Sequence, residues 1–406
     1  MCGLFVLYAC DTPEKVKPFQ DQNFIKLYGG DGTEEGMDLM ALSDGGFVLT
    51  GSTTSTSDGN KDVYVVRTDN LGNMVWEKNY GGAGDDVGHF VLLGQNNSIY
   101  VCGEITQDTL SLVGMRNVYV LNLSLADGSM LNQPRQYGKT GRDEVGTDMI
   151  ELEQGGFFIT STMVHQDTSK YYLIETDQNL DTIQFRSRYV GTEQVNNYAI
   201  RSYENETDMI NPYVVFGSVQ RIVNGNKSFW YRSFLYRSNG DATTNPEFYG
   251  SETEDEICSD VFKTTDGGYI LAGTTTLGNQ AREMVVKLDP NREEIWKKTY
   301  NNEFNRNVKE SSIIQTSDGG FLLSSTIELN DPKNDEISLL KLNAEGVEEW
   351  RKTYGSSQND KGSKVVQLED GSFVVVGTMG FDINPASQAK MCLIKLNKNG
   401  DLIPLD

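Results

Sequence analysis

A tyrosine returns at a nearly fixed interval along the whole chain. Tyr28, Tyr80, Tyr137, Tyr189, Tyr249, Tyr300 and Tyr354 are separated by 52, 57, 52, 60, 51 and 54 residues, and glycine follows in most units, as in Tyr28-Gly29-Gly30 and Tyr80-Gly81-Gly82. A period of this length means one supersecondary unit per repeat, none able to bury its apolar face alone. Within the better-kept units the order is constant. An acidic Gly-Gly turn comes first: Asp44-Gly45-Gly46, Asp266-Gly267-Gly268 and Asp318-Gly319-Gly320, with Gln154-Gly155-Gly156 and Asp370-Gly371-Ser372 as variants. A β-rich run such as FVLTG, YILAG or FVVVG follows at once. Residues free to take positive φ between two apolar runs make a hairpin. A second turn reads D-x-x-G-x-x-x-W over 69–76, is loosened over 289–296 and starts with Asn over 343–350; its Trp stands four residues before the next repeat tyrosine.

Counting the runs gives four strands per unit and no helical period. The expectation is an all-β chain, a seven-bladed β-propeller of four-stranded antiparallel blades over residues 23–406. Ring closure is written in the sequence as well. Phe24-Ile25-Lys26-Leu27-Tyr28 has the pattern of a Trp-bearing strand with Phe24 in the Trp place, while Asp401-Leu402-Ile403-Pro404 falls where a seventh Trp is due. The N-terminal strand is therefore expected to complete the last blade and hide two sheet edges.

The 406 residues carry 58 Asp plus Glu against 35 Lys plus Arg, a net charge of -23 spread along the chain. Such a field repels phosphate backbones and excludes nucleic acid as a partner. No run approaches the roughly 20 apolar residues of a membrane-spanning helix. The 5 Cys show no paired spacing, and His89 and His165 lie in different units, so no metal, cofactor or His-based catalytic centre is expected. Cys102 and Cys392 sit inside apolar runs and read as small buried hydrophobes. Trp76, Trp296 and Trp350 belong to outer strands and read as packing between blades.

Cys10 is different. Leu7-Tyr8-Ala9-Cys10 closes a short apolar run and precedes the polar stretch DTPEKVKPFQDQ, which resembles a bacterial lipobox. That resemblance implies lipidation at Cys10, with residues 1–22 as signal remnant and tether. Only nine residues precede Cys10 and none is basic, so the expected translation start lies upstream of Met1.

The combination of Y-G-G, D-G-G-[FY], a strand ending in Gly, a D-x-Y-V-like strand and D-x-x-G-x-x-x-W resembles the tandem propeller repeats of exported proteins and lipoproteins of Bacteroidota, and more distantly PQQ-type propellers. The resemblance covers residues 24–406. It implies a non-catalytic outer-membrane lipoprotein with a protein partner in that membrane. Its role would be an interaction scaffold, or an accessory or capping subunit of a transport, secretion or barrel-assembly complex. The alternative is a surface glycan-binding lipoprotein or a carbohydrate-active propeller enzyme.

In an up-and-down blade the tight turns share one face, and the blade-to-blade links share the other with the long unlike loops, here 104–115, 329–336 and 379–390. The link face is the candidate binding surface. Six residues after the repeat tyrosine stand Glu34, Asp86, Asp143, Asp255 and Asp360, with Val195 and Arg306 breaking the series. Two readings compete: carboxylates accepting N–H bonds in their own loops, or a ring that binds a cation or a basic partner. Unit 4 departs most from the pattern, and its segment 229–237 places aromatics on both alternation faces, with Trp230, Arg232 and Tyr236 as candidate contacts. It reads either as a strand buried on both sides or as an aromatic and Arg-rich contact patch.

Overall fold

The structure, a computed structural model, describes residues 23–402 outside the segments 56–59, 108–114, 140, 154, 166–167, 189–193, 205–212, 224–225, 237–245, 279, 301–306, 329–333 and 384–385. At 107, 185–188, 194–199, 223, 226–227, 277, 382–383 and 386–387 it describes the backbone alone. Cys10 lies outside the described residues.

Seven four-stranded antiparallel sheets follow one another around a ring, the seven-bladed propeller that the repeat predicts. Six blades are continuous in sequence: 34–80, 87–137, 143–188, 194–249, 256–300 and 308–354. The seventh takes three strands from 361–396 and its outermost from Phe24–Tyr28, paired from Phe24 opposite Lys395 to Tyr28 opposite Met391. The chain thus closes its ring as expected, with Asn23 Nδ2 donating to the Asp401 carbonyl at 3.3 Å. Among the described residues no helix is long and apolar enough to cross a membrane.

The turns explain the spacing. In the tight turn between third and outermost strands, Asp69 Oδ1 accepts the Leu71 and Asn73 N–H groups at 2.9 and 2.8 Å, and Gly72 takes the left-handed conformation at φ 71°. Asp177, Asp289, Asn343 and Asn397 accept N–H groups in the same way in their own units. Each such turn is a side-chain-capped loop that the sequence encodes locally.

What joins one blade to the next begins at the repeat tyrosine. Its hydroxyl donates to the carbonyl of the left-handed residue in the next blade's turn: Tyr28 to Gly72 at 2.8 Å, Tyr137 to Leu180 at 2.7 Å, Tyr249 to Arg292 at 2.8 Å and Tyr300 to Gly346 at 2.8 Å. Tyr80 reaches Gly128 and Tyr354 reaches Gly400 likewise. Above this bond the outer-strand aromatic lies flat on the same turn. A Cβ on Gly128 would come within 2.9 Å of Trp76, one on Gly346 within 2.7 Å of Trp296, one on Gly400 within 2.7 Å of Trp350, and one on Gly72 within 2.6 Å of Phe24. Where the sequence has Gln133 or Asn245 four residues before the tyrosine instead of an aromatic, the next turn carries Leu180 or Arg292 in the left-handed position. Ring and glycine are therefore coupled by steric exclusion at the four seams where both are found.

Apolar burial follows the same division. The buried residues fall into seven clusters, each shared by two neighbouring blades: Val48 and Val63 with Ile99 and Val101, for example, or Val376 and Met391 with Leu39 and Tyr64. Cys102, Cys258 and Cys392 are fully or almost fully buried in these clusters.

Two outcomes test this account. Gly346→Ala meets both positive φ and the Trp296 ring, so it should cost about 2 to 4 kcal/mol. Gly319→Ala, at φ 83° with nothing within 4 Å of its new Cβ, should cost only about 1 kcal/mol. Equal losses in denaturant titrations would contradict the seam argument. Deleting residues 23–28 should lower the melting temperature markedly, because it exposes an edge and removes the Tyr28 latch; an unchanged value would mean that 361–396 closes the ring without it.

Candidate functional site

In all seven innermost strands the pairing slips by one residue, at the same height in six of them and one rung nearer the links in blade 6. The slips fall between Gly36 and Asp38, Gly88 and Phe90, Gly146 and Asp148, Ala199 and Arg201, Cys258 and Asp260, Lys309 and Ser311, and Gly362 and Lys364. A bulge leaves one residue unpaired and re-aims its side chain. The seven extra residues, Met37, His89, Thr147, Ile200, Ser259, Glu310 and Ser363, all line one cavity of about 450 Å³ at the axis. Innermost strands start at the links, so this mouth opens on the link face. Glu310 is the strained member, with φ 34°, and its carboxylate meets Lys361 Nζ at 2.8 Å.

Just inside lies a layer of charge supplied by the residue after each bulge. Asp38, Asp148 and Asp260 come from blades 1, 3 and 5, Arg201 from blade 4 and Lys364 from blade 7. Arg201 bridges Asp148 at 3.2 Å and Asp260 at 3.0 Å, with its guanidinium 5.3 Å from the centre of the Phe90 ring. Lys364 donates to the other Asp260 oxygen at 2.7 Å. Each acid also stitches its blade to the next, accepting the Val91, Ser202 and Ile313 N–H groups at 2.9, 2.9 and 3.1 Å respectively. Burial would raise the Asp260 carboxyl, but Lys364 and Arg201 hold it down at about 2. Burial does raise Asp38, to about 6, against the weaker pull of the same two cations. Asp148 is raised by burial too, despite Arg201.

The five acids predicted at one equivalent position occupy two. Glu34, Asp86 and Asp360 are buried and accept bonds within their own units: Asp86 from the Gly82 and Thr106 N–H groups at 2.6 and 2.7 Å, Asp360 from Gly380 at 3.0 Å, and Glu34 from Thr53 Oγ1 at 2.9 Å. Glu34 also receives Lys390 Nζ at 2.9 Å. In blades 3 and 5 the corresponding buried carboxylates are Glu144 and Glu256, not Asp143 and Asp255. Asp143 and Asp255 stand one residue earlier, where each accepts an N–H of the preceding blade, from Arg116 and Phe229 at 2.9 Å. Counting from the tyrosine slides by one there because the link is one residue longer. The series is thus not a single exposed ring.

The candidate contacts in unit 4 are corrected more sharply. Arg232 is fully buried, its guanidinium 5.5 and 5.1 Å from the Tyr171 and Phe234 ring centres, and Tyr236 is 3% exposed against Phe158. Their strand, Asn226–Tyr236, is the third of its blade and is covered by neighbours on both faces. Trp230 alone is partly exposed, beneath Arg221 at 4.5 Å. The bulge ring was missed by sequence reasoning, although Gly36-Met37-Asp38, Gly88-His89-Phe90, Gly146-Thr147-Asp148 and Gly362-Ser363-Lys364 repeat a small residue two before the channel position.

No family model matches the chain, and no curated protein does. Among solved structures, an ulvan lyase of a new polysaccharide lyase family superposes with TM-score 0.56 at 11% identity, covering 90% of this chain and 95% of that one. A protein of unknown function from Dyadobacter fermentans DSM 18053 gives 0.50 at 11% identity over 91% and 97%. Puromycin hydrolase gives 0.51 at 10% identity over 90% of this chain but 52% of its own. At these identities the likeness is one of fold alone.

The buried acids set the pH response. Asp38 and Asp86 are raised to about 6 and Glu144 to about 7, in each case chiefly by burial. A carboxyl raised in the folded state contributes stability that is full below its unfolded value near 4 and is lost as pH rises through 6 to 7. Asp260, lowered, loses its contribution only as pH falls toward 2. The melting temperature should therefore fall between about pH 4 and pH 7, and Glu144→Gln should flatten part of that slope. A melting temperature that rises over this interval would contradict these assignments.

Proposed function

We propose that this chain is a non-catalytic interaction propeller, tethered by lipid at Cys10 to a bacterial outer membrane. It holds a protein partner on its link face as a scaffold or accessory subunit of a transport, secretion or barrel-assembly complex. The observation that carries binding over chemistry is the fate of the channel acids. Asp148 and Asp260, placed where a general acid and base would be sought, are held in ion pairs by Arg201 and Lys364 and bonded to the next blade. Asp260, held down by two cations, keeps its charge, and the bonds to the next blade fix both acids in position instead of leaving them free to approach a substrate. Around them the bulges present seven side chains of six kinds on a rigid ring, a surface built for discrimination. The lipobox-like approach to Cys10 and the resemblance of the repeats to Bacteroidota lipoproteins support the tether and the address.

A glycan-binding or carbohydrate-active propeller is the second reading. It is favoured by the arc of hydroxyls from Ser259, Ser311, Ser312 and Ser363 on one side of the mouth. Against it, no Phe, Tyr or Trp lines the cavity among the described residues, and such a ring is the usual platform for a sugar face.

Purification from native membranes with mass spectrometry tests the first reading. The wild-type chain should stay in the membrane fraction with a stoichiometric protein partner, and Cys10→Ser should be released. A mutant retained in the membrane would remove the anchor, and a wild-type chain recovered alone but bound to a glycan array would favour the second reading.

A further inference from the structure

The layer beneath the mouth holds three carboxylates and two cations. Arg201 serves Asp148 and Asp260, and Lys364 serves Asp260 again, while no described Lys, Arg or His lies within ion-pairing distance of Asp38. Asp38 is 4% exposed and lines the cavity, with one oxygen, Oδ2, accepting the Val91 N–H. The site is thus one positive charge short. A second polar group is also waiting: Ser311, 5% exposed and lining the same cavity, has an Oγ with no hydrogen-bond partner among the described residues. Met37, Val145 and Ile200 add apolar surface to the same lining.

We infer that the mouth receives a lysine side chain of the protein partner, its ammonium taking Asp38 as counter-ion and its methylene stem lying along Met37, Val145 and Ile200. This rests on the reading of the link face as a protein-binding surface. Several features select the ligand. No group of three or more metal-ligating side chains exists among the described residues, so a single carboxylate calls for an organic cation instead of a metal ion. A carboxylate without a cation of its own and a separate hydroxyl suit an ammonium, whose three donors rotate freely, better than a guanidinium, whose planar fork seeks both oxygens of one acid. A chain of net charge -23 also draws cationic groups toward its surface and repels the anionic polymers that would compete.

The full-length chain is titrated by calorimetry with Nα-acetyl-lysine amide and, in parallel, with Nα-acetyl-norleucine amide, which keeps an aliphatic stem without the charge. The expected result is saturable binding of the lysine compound, with the norleucine compound and a normally melting Asp38→Asn each weaker by about tenfold. Lys364→Met is the independent arm. It removes one of the two cations that share the three acids, so the affinity for the lysine compound should rise severalfold whether or not Asp38→Asn folds. Equal binding of the two compounds, a folded Asp38→Asn that binds like wild type, or no gain in Lys364→Met would overturn the inference. Failure of the partner reading is separate: native membranes yielding no partner while the lysine compound binds as expected would leave this site standing and remove only its protein source.

Discussion

Six of the seven blades are each held by a described hydroxyl that belongs to the neighbouring blade. The repeat tyrosine reaches across the seam to the carbonyl of a left-handed turn residue, and the outer-strand ring settles on that turn where glycine leaves room. Because the buried apolar residues are divided into seven slabs, each shared by two blades, no sheet has a core of its own. The seam is consequently where the fold is decided, and a defect in one turn is felt first by the preceding blade. The pairs Gln133 with Leu180 and Asn245 with Arg292 show the rule in its absence: without an aromatic above it, the turn tolerates a side chain in the left-handed position.

The bulges use the same repetition for the opposite end. Register slips recur in all seven blades, at one height in six and one rung nearer the links in blade 6, and the sequence fills the extra positions with residues from Met37 and Ile200 to His89 and Glu310. The neighbouring acids do double duty. Asp38, Asp148 and Asp260 each accept a backbone N–H from the following blade, so charge at the axis is anchored by the same bonds that align the strands. Such anchoring removes the reorganisation that a flexible acid would undergo on binding a charged group.

The blades, their number and the closing strand were legible in the sequence because turns are local. Asp69 and Gly72 act within five residues, and the Tyr and Trp positions recur beside them. The acidic series was legible only in part, since counting from a tyrosine assumes links of constant length, and at Asp143 and Asp255 the assumption fails by one residue. In unit 4 the alternation pattern correctly suggested a strand covered on both sides, and Arg232 and Tyr236 are inside it. The mouth could not be read directly. A bulge is a property of two strands in register, and a single strand such as residues 34–41 carries no mark of it beyond the small residue at Gly36.

The closing strand also has a direction. Phe24–Tyr28 runs from the face of the tight turns to the face of the links, and Asn23 is bonded to Asp401 at its starting end. Whatever leads into Asn23 therefore enters at the pole opposite the mouth. The clasp that seals the ring thus also fixes the pole at which the preceding segment meets the propeller.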